Sequence, residues 1–101
     1  MNIISKAELM KQLGNFVSVQ NTEARNGYNQ APNQFEIRFE NGTAFQSYRT
    51  LIAVRMKGQL YLSDSHDYSR TTSSHCTRWT GYTTQERRKG LNTGEFTLIS
   101  D

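Results

Sequence analysis

Phe35-Glu36-Ile37-Arg38-Phe39-Glu40-Asn41-Gly42-Thr43-Ala44-Phe45-Gln46-Ser47-Tyr48 is the stretch that decides the fold. Phe35, Ile37 and Phe39 alternate with Glu36, Arg38 and Glu40, the period-two pattern of a strand buried on one face. Asn41-Gly42 follows at once, and both residues tolerate the positive φ of a two-residue type I′ hairpin turn. Thr43 to Tyr48 then returns as the partner strand. Leu51 to Met56 is more continuously apolar, Lys57-Gly58 makes a second turn, and Gln59 to Ser63 makes a further strand. The centre of the chain therefore reads as consecutive antiparallel strands.

Towards the N-terminus, Ser5-x-x-Glu8 is a capping-box pattern, with hydroxyl and carboxylate placed to satisfy the free amides of a first helical turn. Leu9, Met10 and Leu13 give that helix one apolar face, and Gly14 suits its end. Phe16, Val17 and Val19 suggest a first strand, and the polar residues 21–33 read as a surface loop. Towards the C-terminus the period changes. Thr72, Cys76 and Trp79 fall on one side of a helix with Gly81 as its stop, and Thr83-x-x-Glu86 opens a short basic helix ending near Gly90. Gly94 to Ile99 reads as a terminal strand. The expected architecture is α+β, in one domain spanning 1–101. It is an antiparallel β-meander of four to five strands, with a short N-terminal helix and two short helices near the C-terminus, packed on one face of the sheet.

Composition supports a globular reading. The chain has 101 residues, and aromatic residues at 11% supply the large buried areas that disordered chains lack. The single cysteine rules out an internal disulfide and gives no sign of a secreted scaffold. No basic segment followed by a long apolar run opens the chain, and no run approaches the ~20 apolar residues of a membrane span. A cytoplasmic protein is expected. The net charge of +3 is unevenly placed: from Arg70 to Lys89, five basic residues stand against Glu86 alone, a local excess of +4.

Phe45-Gln-Ser-Tyr48, Asp67-Tyr-Ser-Arg-Thr-Thr72 and Gly94-Glu-Phe96 together resemble a family of small uncharacterised proteins that recur in bacteriophage and mobile-element genomes. The likeness runs from about Phe35 to Ile99. Where family members often carry Trp before the Asp-Tyr-Ser, this chain has His66. The resemblance implies a phage context, hence the host cytoplasm, and no particular biochemical activity.

Asp64 to Gly90 holds both histidines, the cysteine and the tryptophan, so any site chemistry is sought there. Asp64, His66, Asp67, His75 and Cys76 are metal-ligating types, but zinc needs three or four such groups converging. His75 and Cys76 project about 100° apart on a helix and chelate one ion poorly. His66 is more economically a surface residue and Cys76 a small core residue. Ser69 with His66 and Asp64 or Asp67 supplies the residue types of a hydrolytic triad, yet without the glycines of a nucleophile elbow. The simpler assignment makes Ser69, Thr71 and Thr72 caps of the following helix, Asp67 an acceptor in the turn, and Tyr68 an anchor in the core. No catalytic residue, metal or cofactor is expected.

What remains is a contact surface built from Arg70, His75, Arg78, Tyr82, Arg87, Arg88 and Lys89. Cations with interleaved rings suit nucleic acid, since phosphates meet charge and bases meet π-faces. Tyr and Arg are equally enriched at protein interfaces, to which Tyr28 and the 21–33 loop would add. The leading expectation is a non-enzymatic phage accessory protein. It would bind a host or defence protein complex as a stoichiometric inhibitor, of the anti-CRISPR type for example. A small nucleic-acid-binding protein is the alternative. A homodimer through an exposed edge strand is also open.

Overall fold

The computed structural model describes residues 1–23 and 30–101. Their element order is β1 (Asn2–Ser5), α1 (Lys6–Leu13), β2 (Phe16–Glu23), β3 (Gln30–Phe39), β4 (Gly42–Ser47), β5 (Thr50–Met56), β6 (Gln59–Ser63), α2 (Arg70–Thr80), α3 (Thr84–Thr93) and β7 (Thr97–Ser100). Among the described residues, seven strands form one sheet in the spatial order β1-β7-β6-β5-β4-β3-β2. From β2 to β6 each strand pairs antiparallel with the next. β7 instead runs parallel to both β6 and β1.

This mixed sheet corrects the expected meander of four to five strands. Parallel neighbours need a long crossover, which the α2–α3 segment between Ser63 and Thr97 supplies. β1 is four residues long, too short for any period to be read. It becomes a strand by pairing Ile3 with Leu98 and Ile4 with Ile99, across almost the whole sequence.

The helices also do not share one face. Leu9 and Leu13 of α1 pack with Ala44, Val54, Met56 and Ile99 on one side of the sheet. Cys76 of α2 and Leu91 of α3 pack with Phe45, Ala53, Leu60, Leu62 and Phe96 on the other. β5 lies between them with Ile52, Ala53, Val54 and Met56 all buried, as the continuous apolar run of a strand covered on both faces requires.

The N-caps form where the sequence places them, but the expected Ser5–Glu8 box is only half made, since the Glu8 carboxylate accepts from Gln12 Nε2 instead of the Ser5 amide. Ser5, Ser69 and Thr83 each accept a first-turn amide, and Glu86 reaches back to the Thr83 amide to complete the capping box. Lys57 and Gly58 both have positive φ, as a type I′ turn needs. The β3–β4 turn is different: it consists of Glu40 and Asn41, and neither has positive φ. It is held from outside the hairpin, by Glu40 N–H on Asn15 O, Asn41 N–H on Leu13 O, and Asn41 Nδ2 on Gln12 O. Gly42 is required for another reason. A Cβ there would meet Arg55 O at 2.6 Å, so the glycine lets β4 and β5 approach under Leu13.

The expected 21–33 loop is strand wherever it is described, since β2 extends to Glu23 and β3 begins at Gln30. Residues 24–29, including Tyr28, lie outside the described residues.

Candidate functional site

Arg87 was expected on the basic contact surface and is instead fully buried. Its Nε donates to His66 Nδ1 at 2.9 Å, and Nη1 donates to Thr77 Oγ1 at 2.9 Å and Tyr82 O at 2.7 Å. Nη2 faces His66 O, Ser73 Oγ and Thr84 Oγ1. The acceptors come from the β6–α2 turn, α2 and the start of α3, so one guanidinium ties the crossover together. A buried cation is tolerated where its donors are all directed at acceptors. Burial pulls the Arg87 pKa down, yet a guanidinium keeps its proton in proteins. Spacing in the Arg87-Arg88-Lys89 run does not show which member turns inward. Thr83 and Glu86 fix the helix phase, and that phase points Arg87 back at His66.

The other basic residues spread out. Arg88 is exposed and donates through Nε and Nη2 to Asp67 Oδ2, holding the Asp67 carboxyl below its ordinary pKa. Arg70 opens α2, Arg78 lies in its last turn, and Lys89 is exposed on α3. Eight residues of helix set Arg70 and Arg78 about 12 Å apart along the axis. His75 and Arg78 border a cavity of about 260 Å³ with Trp79, Glu36 and Asn21. Tyr82 is partly exposed and packs its ring on Phe96 at 4.9 Å between centroids. Arg87 therefore drops out of the expected contact surface, and Arg88 enters it already paired with Asp67.

His66 is buried, which corrects the expectation of a surface residue. With Nδ1 accepting from Arg87, the neutral ring carries its proton on Nε2. Burial lowers its pKa, Arg87 and Arg88 push the same way, and Asp67 and Asp64 oppose them. Its Nδ1 lone pair is committed to a guanidinium, so this atom does not serve as a base towards Ser69. Ser69 Oγ accepts from Thr72 N and donates to Thr72 Oγ1, the capping role. Cys76 is fully buried and its thiol is pushed up to about 11 by burial, the state of an unreactive core thiol. No three of His, Cys, Asp and Glu converge among the described residues. Tyr68, expected to anchor the turn in the core, is 83% exposed.

The surface feature missed in the sequence is the edge strand β2. Phe16, Val17 and Val19 are each more than half exposed. Val19 pairs with Ile37 and Phe16 with Phe39, so both lie on the α1 side of the sheet. The Phe16 and Phe39 rings meet edge to face at 6.5 Å. The eight residues of α1 span about 12 Å, whereas seven strands spread over roughly 29 Å, so one short helix leaves part of this face uncovered. β2 pairs only with β3, and its outer edge is unpaired among the described residues. Phe-Val-x-Val reads as core by composition, and only the strand order reveals it as an edge.

A model of a family of unknown function, DUF8033, matches residues 11–95. The chain belongs to that family. The DUF8033 match takes in the β2 edge, the buried Arg87 network and the helical crossover. No curated protein and no solved structure is significantly similar. Among the described residues, no helix is long and apolar enough to cross a membrane.

Proposed function

We propose that this DUF8033 chain is a protein-binding module with no catalytic step of its own, which works by occupying a partner's surface. The observation that carries the reading is the β2 edge, where Phe16, Val17 and Val19 stand exposed beside a row of backbone groups unpaired among the described residues. An open, apolar edge strand is a liability unless a partner uses it, and strand addition is a recurrent mode of recognition. A stoichiometric inhibitor of a host or defence protein is the form such a role takes if the chain is encoded by a phage or mobile element and acts in the host cytoplasm. The basic surface favours nucleic acid less, because Arg87 is buried and Arg88 is paired with Asp67.

Affinity capture from host lysate, with and without nuclease treatment, tests the proposal, with Val17→Lys/Val19→Lys as the comparison. A protein retained by the wild type and lost with the variant supports strand-edge binding. Recovery of nucleic acid alone, abolished by nuclease, replaces it with the nucleic-acid alternative.

A further inference from the structure

A cavity of about 350 Å³ opens between the β4–β5 turn and the N-terminus of α2, within the size range of small-molecule sites. It is independent of the β2 edge. Ile52 gives it an apolar wall, Ser47, Ser69 and Thr72 line it with hydroxyl-bearing residues, and Tyr48 and Tyr68 stand at its rim. The two tyrosines are 59% and 83% exposed, a costly way to place rings that serve only packing. No carboxylate lines the cavity.

Three features indicate what the cavity recognises. Ser47 is 3% exposed and its Oγ has no hydrogen-bond partner, and Gln34 directly across the β3–β4 pair is 2% exposed with its Oε1 likewise unpartnered. Buried polar groups are normally satisfied, and the unpartnered Ser47 hydroxyl in the cavity wall points to a ligand offering a polar atom. The second feature is the start of α2. Ser69 takes up the Thr72 amide, while the amides of Arg70 and Thr71 belong to a first turn with no intrahelical acceptor. Such a terminus of an 11-residue helix favours an anion. Thirdly, Arg70 adjoins the lining residue Ser69 in sequence, and it is exposed with no ion pair among the described residues.

A planar ring against tyrosines, a polar atom towards Ser47, and an anion at the α2 terminus describe one ligand. We infer that this cavity binds a nucleoside monophosphate unit, with its phosphate at the N-terminus of α2 and its base against Tyr48 and Tyr68. The unit is either a free nucleotide or the end of a single-stranded oligonucleotide.

The test is ¹⁵N-resolved NMR titration of the full chain with AMP, CMP, GMP and UMP, beside adenosine, inorganic phosphate and a short 5′-phosphorylated oligonucleotide. Saturable shifts at Ser47, Ser69, Arg70 and Thr71 are expected with at least one mononucleotide or with the oligonucleotide, and which one saturates at lower concentration identifies the source. Adenosine and phosphate alone should bind more weakly than AMP, because each lacks half of the unit. Tyr68→Ala should weaken the best binder about five-fold or more, as the loss of one stacking platform does. Ser47→Ala gives a second reading: it should weaken binding while leaving the melting temperature equal or higher, since it removes a buried unpartnered hydroxyl. Absence of saturable shifts at these amides with every probe overturns the inference. So does phosphate binding as tightly as every nucleotide, or affinity for the best binder unchanged in both variants.

Discussion

Arg87 donates from Nε to His66 Nδ1 at 2.9 Å, a pairing of a buried cation with a neutral imidazole rather than with a carboxylate. The bond exists only while Nδ1 is unprotonated. Burial lowers the His66 pKa below its ordinary 6.5. In the window between that value and the lower folded one, the unfolded chain binds the extra proton and the folded chain does not. Stability contributed by His66 is therefore complete above 6.5 and declines as pH falls through the window. Urea midpoints measured across it should drop for the wild type and stay flatter for His66→Gln. An NMR titration of the His66 ring should place its pKa below that of an unfolded histidine.

The acceptors around Arg87 make its removal costly for a separate reason. Tyr82 O, His66 O, Thr77, Ser73 and Thr84 all lose a charged donor at once. Arg87→Met should destabilise by about 3 kcal/mol or more, since a hydrogen bond to a charged group contributes ~1.5–3 kcal/mol. Arg88→Ala next to it should change stability by less than about 1 kcal/mol, because its pair with Asp67 is exposed. Equal losses for the two variants in chemical denaturation would show that Arg87 is not an interior tie.

Cys76 offers a readout of the same packing. Its thiol is fully buried and pushed up to about 11, so the nucleophilic thiolate is scarce at neutral pH. An aromatic disulfide reagent should label it only at the rate of unfolding, and labelling should accelerate in Arg87→Met. Rapid labelling of the native wild type would place Cys76 at the surface.

Local signals in the sequence carry the central strands, the Lys57-Gly58 turn and the N-cap residues, because each is set by residues close together in the chain. The alternation of Phe35, Ile37 and Phe39, the Lys57-Gly58 turn and the Thr83–Glu86 box all form. Long-range relationships were not legible. β1 depends on β7, the Glu40-Asn41 turn depends on the end of α1, and Arg87 turns inward because His66 sits 21 residues away. Tyr68 and His66 were misplaced together, since the turn buries the histidine and exposes the tyrosine.

Gly90 is fixed by contact rather than by backbone conformation. A Cβ there would lie 2.2 Å from the Phe96 ring, which packs against the α3 backbone. Gly90→Ala should therefore destabilise by about 1–3 kcal/mol, the usual range for forced overpacking. Gly81 has φ +81 with nothing near its would-be Cβ, so Gly81→Ala should cost only the left-handed strain, about 1–2 kcal/mol. Gly90→Ala/Phe96→Leu separates the two causes. The smaller, more flexible side chain should recover part of the loss at Gly90, while Phe96→Leu should do nothing for Gly81→Ala.

At the β2 edge, the expected signature is a separation of stability from association. Val19 is half exposed on the edge strand, paired with Ile37, so Val19→Lys should shift stability by no more than about 0.5 kcal/mol. A lysine on an open edge disfavours further strand pairing. The variant should therefore fold like the wild type and lose partner binding, read by the capture assay. Val54→Lys, placed on the same face but fully buried under α1, should unfold the protein instead. Should Val19→Lys destabilise as strongly as a core substitution, then β2 belongs to the core and the apolar edge is no docking surface.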